Sequence, residues 1–163
     1  MPHAHFLITV DNASKPRSAD DYDKLVCAEI PDRDLDPELY ETVTKCMMHG
    51  PCNVNKKLPC IGGPNKECTK KFPKHFILNT CANEDGFPSY RRRNDGKRVT
   101  VKGVELDNRF VVPYNPDLSK KYNAHINLEI CNSVKAVKYI YKYVYKGHDR
   151  ACIEINKNDE IVK

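Results

Sequence analysis

The chain's 163 residues suit one small domain, or one domain with an inserted module, and 27 Lys and Arg against 22 Asp and Glu give a formal net charge of +5. With 40% hydrophobic residues, 30% charged residues and a mean hydropathy of −0.66, a modest core beneath a heavily solvated surface is expected. No stretch approaches the roughly 18 apolar residues of a membrane helix and no charged-then-apolar leader opens the chain, so a soluble protein with no membrane partner is expected.

PHAHFLITV reads as a strand over His3–Val10, because Phe6, Leu7, Ile8 and Val10 supply strand-favouring bulk. His3 and His5, two apart, then project to one face, where two imidazoles can share a divalent cation; a surface pair is the plainer reading of His-x-His alone. A turn-rich link follows from Asp11 to Arg17. Ser18 with Asp21 forms a capping box that opens a short helix to about Ala28, and a second helix starts after Asp36, with Pro37 at its first position, and runs to about Met48.

Residues 49–75 form a cysteine module. His49-x-x-Cys52 is followed by Cys60 and Cys68, each after seven intervening residues, and Gly50, Pro51, Pro59, Gly62, Gly63 and Pro64 make the spacers turn-rich. Tight turns that present thiolate and imidazole donors suit a closed tetrahedral Zn2+ site, so the segment from about 46 to 81 is expected to be a structural Cys3His zinc module. Cys46 competes with His49 for the fourth place, Cys81 is a reserve ligand, and free thiols in a loop are the plainer alternative. Cys27, Cys131 and Cys152 lie in apolar contexts that suit small buried hydrophobes.

Further strands are expected at Arg98–Val104, at Phe110–Val112 with Pro113 and Pro116 closing it, and at Ala124–Cys131, with a last short one near Cys152–Ile155. In Ala124–Cys131, His125, Asn127 and Glu129 alternate with Ile126, Leu128 and Ile130, giving either a strand with one solvent side or a polar face that lines a site. The run KYIYKYVYKG places tyrosine at 139, 141, 143 and 145. Ser133 can cap and Gly147 can end a helix over about 133–147, and Val134, Val137, Ile140 and Val144 recur near helical spacing. In that helix Tyr139 and Tyr143 share a face beside Lys138, Lys142 and Lys146, whereas as a strand the run would be an aromatic strip against a core.

Charge is unevenly spread: the segment from Asp20 to Glu41 is acidic, while Lys66–Lys102 and Lys135–Lys146 are basic. Tyr90 with Arg91, Arg92 and Arg93 offers a stacking and phosphate-contact patch for unpaired bases, or else a solvated basic loop; Lys138 and Lys142 add DNA-binding charge.

A strand-borne His-Ala-His and a lysine-flanked tyrosine pair are together the layout of HUH nucleases. The words PHAHFLI, MMHGPCN, CTKKFPK, YRRR, DNRFVVPYNPDLSKKYNAHINLEIC and KAVKYIYKYVYKGHDRA cover residues 2 to about 152, and in this order they resemble the Rep nuclease region of Helitron rolling-circle transposases. The resemblance implies an α+β fold over 1–163: a partial HUH-type antiparallel sheet with flanking helices and the inserted zinc module. It implies His3 and His5 as ligands of Mg2+ or Mn2+, with His125 or Glu129 completing the set, and Tyr139 and Tyr143 as nucleophiles towards single-stranded DNA. Lys142 or Lys146 is expected to favour the phenolate, because an unperturbed tyrosine titrates only near about 10. It also implies a nuclear protein.

Relatives carry a long segment before the PHAH word and, in the same polypeptide, a superfamily-one helicase after the tyrosine helix. Neither is present, so the chain is expected to be the C-terminal part of a Rep nuclease domain from a truncated or degenerate transposon copy. With no G-x-x-x-x-G-K-[ST] phosphate loop it is not the ATP-driven motor. The competing expectation is a non-catalytic, zinc-bearing, nucleic-acid-binding remnant.

Overall fold

The computed structural model describes residues 8, 10–52, 54–55, 57–81 and 87–130. Within them the chain is a mixed α+β protein with three helices and two small antiparallel sheets. The expected HUH strand falls mostly outside this range; Ile8 and Val10, which are described, lie in no strand and are exposed. His3, His5, Cys131, Cys152, the tyrosine helix with Lys138, Tyr139, Lys142, Tyr143 and Lys146, and the last short strand also lie outside the described residues.

Helix α1 spans Ala19–Leu25 and begins with the expected capping box: the Ser18 hydroxyl accepts from the Asp21 N–H, while Asp21 accepts from the Ser18 N–H. It ends three residues before the expected Ala28. Val26, Ala28 and Ile30 are buried at every second position, so the chain becomes extended, and Cys27 exchanges backbone hydrogen bonds of 2.8 and 2.9 Å with Tyr114. Helix α2 spans Pro37–Cys46, capped by the Asp36 carboxylate on the Leu39 N–H, with Pro37 at its first position. Leu39 and Val43 on α2, with Met47 beyond it, pack against Ile30, Val99, Val111 and Tyr114 to form the main core.

Three expected strands are corrected. Arg98–Val104 is a hairpin, not one strand: β3 (Val99–Val101) pairs with β4 (Val104–Leu106) around Lys102 and Gly103. Both turn residues have positive φ, 51° and 78°, which is the left-handed geometry that lets a two-residue turn follow the strand twist. In place of a strand at Phe110–Val112, a 3-10 turn covers Asn108–Phe110, and Val111 makes a single bridge to Met48. Residues 124–130 join no ladder. Their burial alternates as expected, with Ile126, Leu128 and Ile130 half-buried and His125, Asn127 and Glu129 exposed. Their N–H groups go to scattered acceptors instead: Ile126 to the Met47 sulfur, Leu128 to the Pro113 carbonyl and Ile130 to the Tyr90 hydroxyl.

Helix α3, Pro116–Tyr122, is new. Asn115 caps it and Asn123 closes it in the left-handed region at φ 43°. Lys120 ties it to Asp36 at the start of α2, at 3.0 Å. Among the described residues no helix is long and apolar enough to cross a membrane.

Candidate metal centre

The cysteine module is held at both ends by one turn of the core. The His49 N–H donates to the Phe110 carbonyl at 2.8 Å, and the Lys74 N–H donates to the Arg109 carbonyl at 3.0 Å. Between these anchors runs a minimal hairpin, β1 (Ile61–Gly62) against β2 (Glu67–Cys68), with the pairs Ile61↔Cys68 and Gly62↔Glu67. Gly63 opens the turn at φ 72°, and the Thr69 N–H closes back on the Cys60 carbonyl at 2.7 Å, which brings Cys60 and Cys68 side by side. On the other arm, the Cys52 N–H donates to the Gly50 carbonyl at 2.7 Å, folding His49-x-x-Cys52 into a tight turn.

These turns converge. One ligand atom from each of His49, Cys52, Cys60 and Cys68 lies within 4.8 Å of every other, and Cys68 Sγ is 3.4 Å from His49 Nε2. A tetrahedral Zn2+ with sulfur at about 2.3 Å and nitrogen at about 2.0–2.1 Å needs ligand separations of roughly 3.6–3.8 Å. The donors are therefore at most about 1 Å too open for such an ion. The four residues fit a metal ion such as zinc, and among the described residues no other group of three or more His, Cys, Asp and Glu side chains converges in this way. Cys46 and Cys81 are not in the cluster: the Cys46 thiol faces the Asn123 carbonyl, and Cys81 is exposed and bridged to Ser89.

The donors are electrostatically prepared. Burial, then the charges of Lys74 and Lys70, hold His49 below its ordinary value, so its imidazole is neutral with a lone pair to give; its ring stacks on Phe72 at 4.1 Å between centroids. Burial and the hydrogen bond with Cys68 push the Cys52 thiol up to about 12, and burial likewise raises Cys60. Burial also acts to raise Cys68, but the N–H groups of Phe72 and Lys70 and the two neighbouring thiols all point hydrogens at its sulfur, and it falls below the ordinary value. Cys68 is thus the sulfur readiest to be a thiolate, and an incoming cation must displace protons from Cys52 and Cys60. Metal affinity is accordingly expected to fall as the pH is lowered through neutrality, which a competition titration with a chromophoric chelator at several pH values would read.

The other candidates fare differently. His125 Nδ1 is 2.7 Å from the Cys46 carbonyl. A carbonyl only accepts, so Nδ1 carries the proton and Nε2 keeps its lone pair. Glu129 has exposed surface overall, yet its carboxyl sits against the Tyr90 hydroxyl beside Lys74 and Arg92, and the burial of that end raises its pKa despite these partners.

In the Tyr90–Arg93 patch the structure corrects the expectation for Tyr90 and Arg92, which are buried. Tyr90 is 4% exposed and packs with Val26 and Ala28, so its ring is covered and cannot stack on a base. Arg92 is also 4% exposed, and its Nη1 donates to the carbonyls of Ala28, Asn108 and Val111 at 3.3, 2.7 and 2.7 Å. Arg91 pairs with Asp23 at 2.8 Å, and Arg93 makes a two-pronged bridge to Glu29 at 2.9 and 2.6 Å. Tyr90 and Arg92 are therefore turned inward, while Arg91 and Arg93 are ion-paired and the Arg93 side chain remains 50% exposed.

No known protein family and no curated protein matches the chain.

Proposed function

We propose that this chain is the Rep nuclease part of a Helitron-type rolling-circle transposase, acting on single-stranded DNA, with Zn2+ in the His49, Cys52, Cys60 and Cys68 cluster as its structural metal. The observation that carries the reading is where the donors come from. Two of the words on which the resemblance rests, MMHGPCN and CTKKFPK, supply three of the four: His49 and Cys52 from the first, Cys68 from the second.

In this reading His3 and His5, with His125 or Glu129, hold the second cation. Bound there, Mg2+ or Mn2+ would polarise the scissile phosphate. His125 is suited to that place because its Nδ1 proton is committed to the Cys46 carbonyl and leaves Nε2 free to ligate. Tyr139 or Tyr143 attacks the phosphorus through its phenolate oxygen, the P–O3′ bond breaks, and the departing 3′ oxygen takes up a proton. The 5′ end is then held as a phosphotyrosine, and the second tyrosine permits a further transfer that joins ends without hydrolysis. Lys142 or Lys146 favours the phenolate.

The test is a covalent one. Single-stranded DNA incubated with the chain and Mn2+ is expected to give an adduct that survives denaturation. Replacing Tyr139 and Tyr143 together by Phe should abolish it, as should His3→Ala or His5→Ala. An adduct that persists in the double tyrosine variant would remove the assigned nucleophiles. Complete absence of adduct from the wild-type chain, with DNA binding retained, would favour the non-catalytic nucleic-acid-binding reading.

A further inference from the structure

The chain's net charge is unevenly placed along its sequence. Residues 49–75 hold six lysines and one glutamate, an excess of five that equals the formal net charge of the whole chain, so the remaining residues balance basic against acidic. Three thiolates and a neutral imidazole around a divalent cation would leave this segment at about +4.

The structure sharpens the contrast. Among the described residues outside the module, Arg91 is paired with Asp23, Arg93 with Glu29, Arg109 with Asp107 and Lys120 with Asp36, and Arg92 donates to three buried carbonyls, while Lys15, Arg17, Arg33, Lys45, Lys102 and Lys121, which have no carboxylate partner, lie far apart along the chain. Within the module, Lys57, Lys66, Lys70 and Lys71 are exposed, and among the described residues none of them is ion-paired with a carboxylate. Lys66, at φ 50°, immediately precedes β2, while Lys70 and Lys71, the latter at φ 57°, closely follow it. Since β2 carries Cys68, the metal cluster fixes the strand that these lysines flank.

We infer that the metal module, and not the Tyr90–Arg93 segment, is the surface that grips the phosphate backbone of single-stranded DNA, with Lys66, Lys70 and Lys71 as its main contacts. The inference rests on the nucleic-acid reading above and gives the module a second task besides holding the fold. Unpaired ammonium groups release phosphate counterions on binding, whereas arginines already bridged to carboxylates have little left to offer.

The experiment measures binding of a labelled single-stranded DNA by fluorescence anisotropy between about 50 and 200 mM salt. Three chains are compared: wild type, the module triple variant Lys66→Gln, Lys70→Gln and Lys71→Gln, and a charge-matched control, Lys24→Gln, Lys45→Gln and Lys121→Gln. Zinc content and thermal midpoint check that each is folded. The module variant is expected to bind about tenfold or more weakly at low salt and to lower the salt slope by about 2, since each lost contact to a single strand removes about 0.7. The control is expected to stay within about threefold of wild type. Equal losses in the two variants, or a module variant that binds like wild type, would overturn the inference while leaving the nuclease reading standing. DNA held through the module without any tyrosine adduct would do the reverse, and a wild-type chain that binds no DNA would remove both.

Discussion

Cys60→Ser is expected to lower bound zinc from about one ion per chain to nearly none and to open the module to proteases, because beyond a two-residue hairpin and its two anchors the module has little apolar burial to keep it folded. Of its described residues only Pro51 and Cys52 are buried. Fixing backbone costs about 1–2 kcal/mol per residue, and burying even a large apolar side chain returns only about 1.5–3. Structural zinc supplies about 10–16 kcal/mol in small finger peptides, as much as the whole stability of an ordinary domain, so a metal bound to this cluster would be expected to dominate the ordering of the segment. Proteolytic cuts are expected between the His49 and Lys74 anchors, with the core of Val43, Met47 and Val111 surviving, since none of these side chains belongs to the module. Cys46→Ser and Cys81→Ser are expected to keep their zinc, because neither thiol reaches the cluster. Metal analysis and limited proteolysis check all three variants, and zinc-free wild-type protein with unchanged protease resistance would sink the metal site.

What could be read in the sequence was local. The capping box of Ser18 and Asp21, the Asp36 cap with Pro37, and the His49, Cys52, Cys60 and Cys68 spacing are each written within a few turns of chain, and each appears in the structure. The hairpin was missed although its signal was present: Lys102-Gly103 sits between Val99, Val101, Val104 and Leu106, and the glycine marks the turn. Pro116 alone reads as closing a strand and hides helix α3, yet Asn115 before it and Asn123 after it are cap residues that make Pro116 a first-turn proline. The inward turn of Tyr90–Arg93 had no local signal. Three arginines after a tyrosine look solvated, and the groups they meet, at Asp23, Ala28, Glu29, Asn108 and Val111, lie 16 to 68 residues away along the chain.

Arg92→Met is expected to destabilise the protein by about 3–5 kcal/mol, because it keeps most of the side chain's volume but strips the donors from three carbonyls. Those carbonyls belong to Ala28, Asn108 and Val111, so one guanidinium joins the extended segment after α1 to both ends of the turn that anchors the metal module. Burial lowers the Arg92 pKa to about 10, still well above neutral pH, so the group stays charged and each of its hydrogen bonds is charge-assisted. For a chain of this size the loss corresponds to a fall of about 10 °C in thermal midpoint. Arg93→Met makes the comparison decisive. The Arg93 side chain is half exposed, and Glu29 keeps Arg91 as a partner, so a cost of about 1 kcal/mol or less is expected. Below both midpoints the salt slope of DNA binding should be the same in Arg92→Met as in wild type, since a buried guanidinium reaches no phosphate. A stable Arg92→Met protein with a reduced salt slope would return this residue to the surface and to DNA.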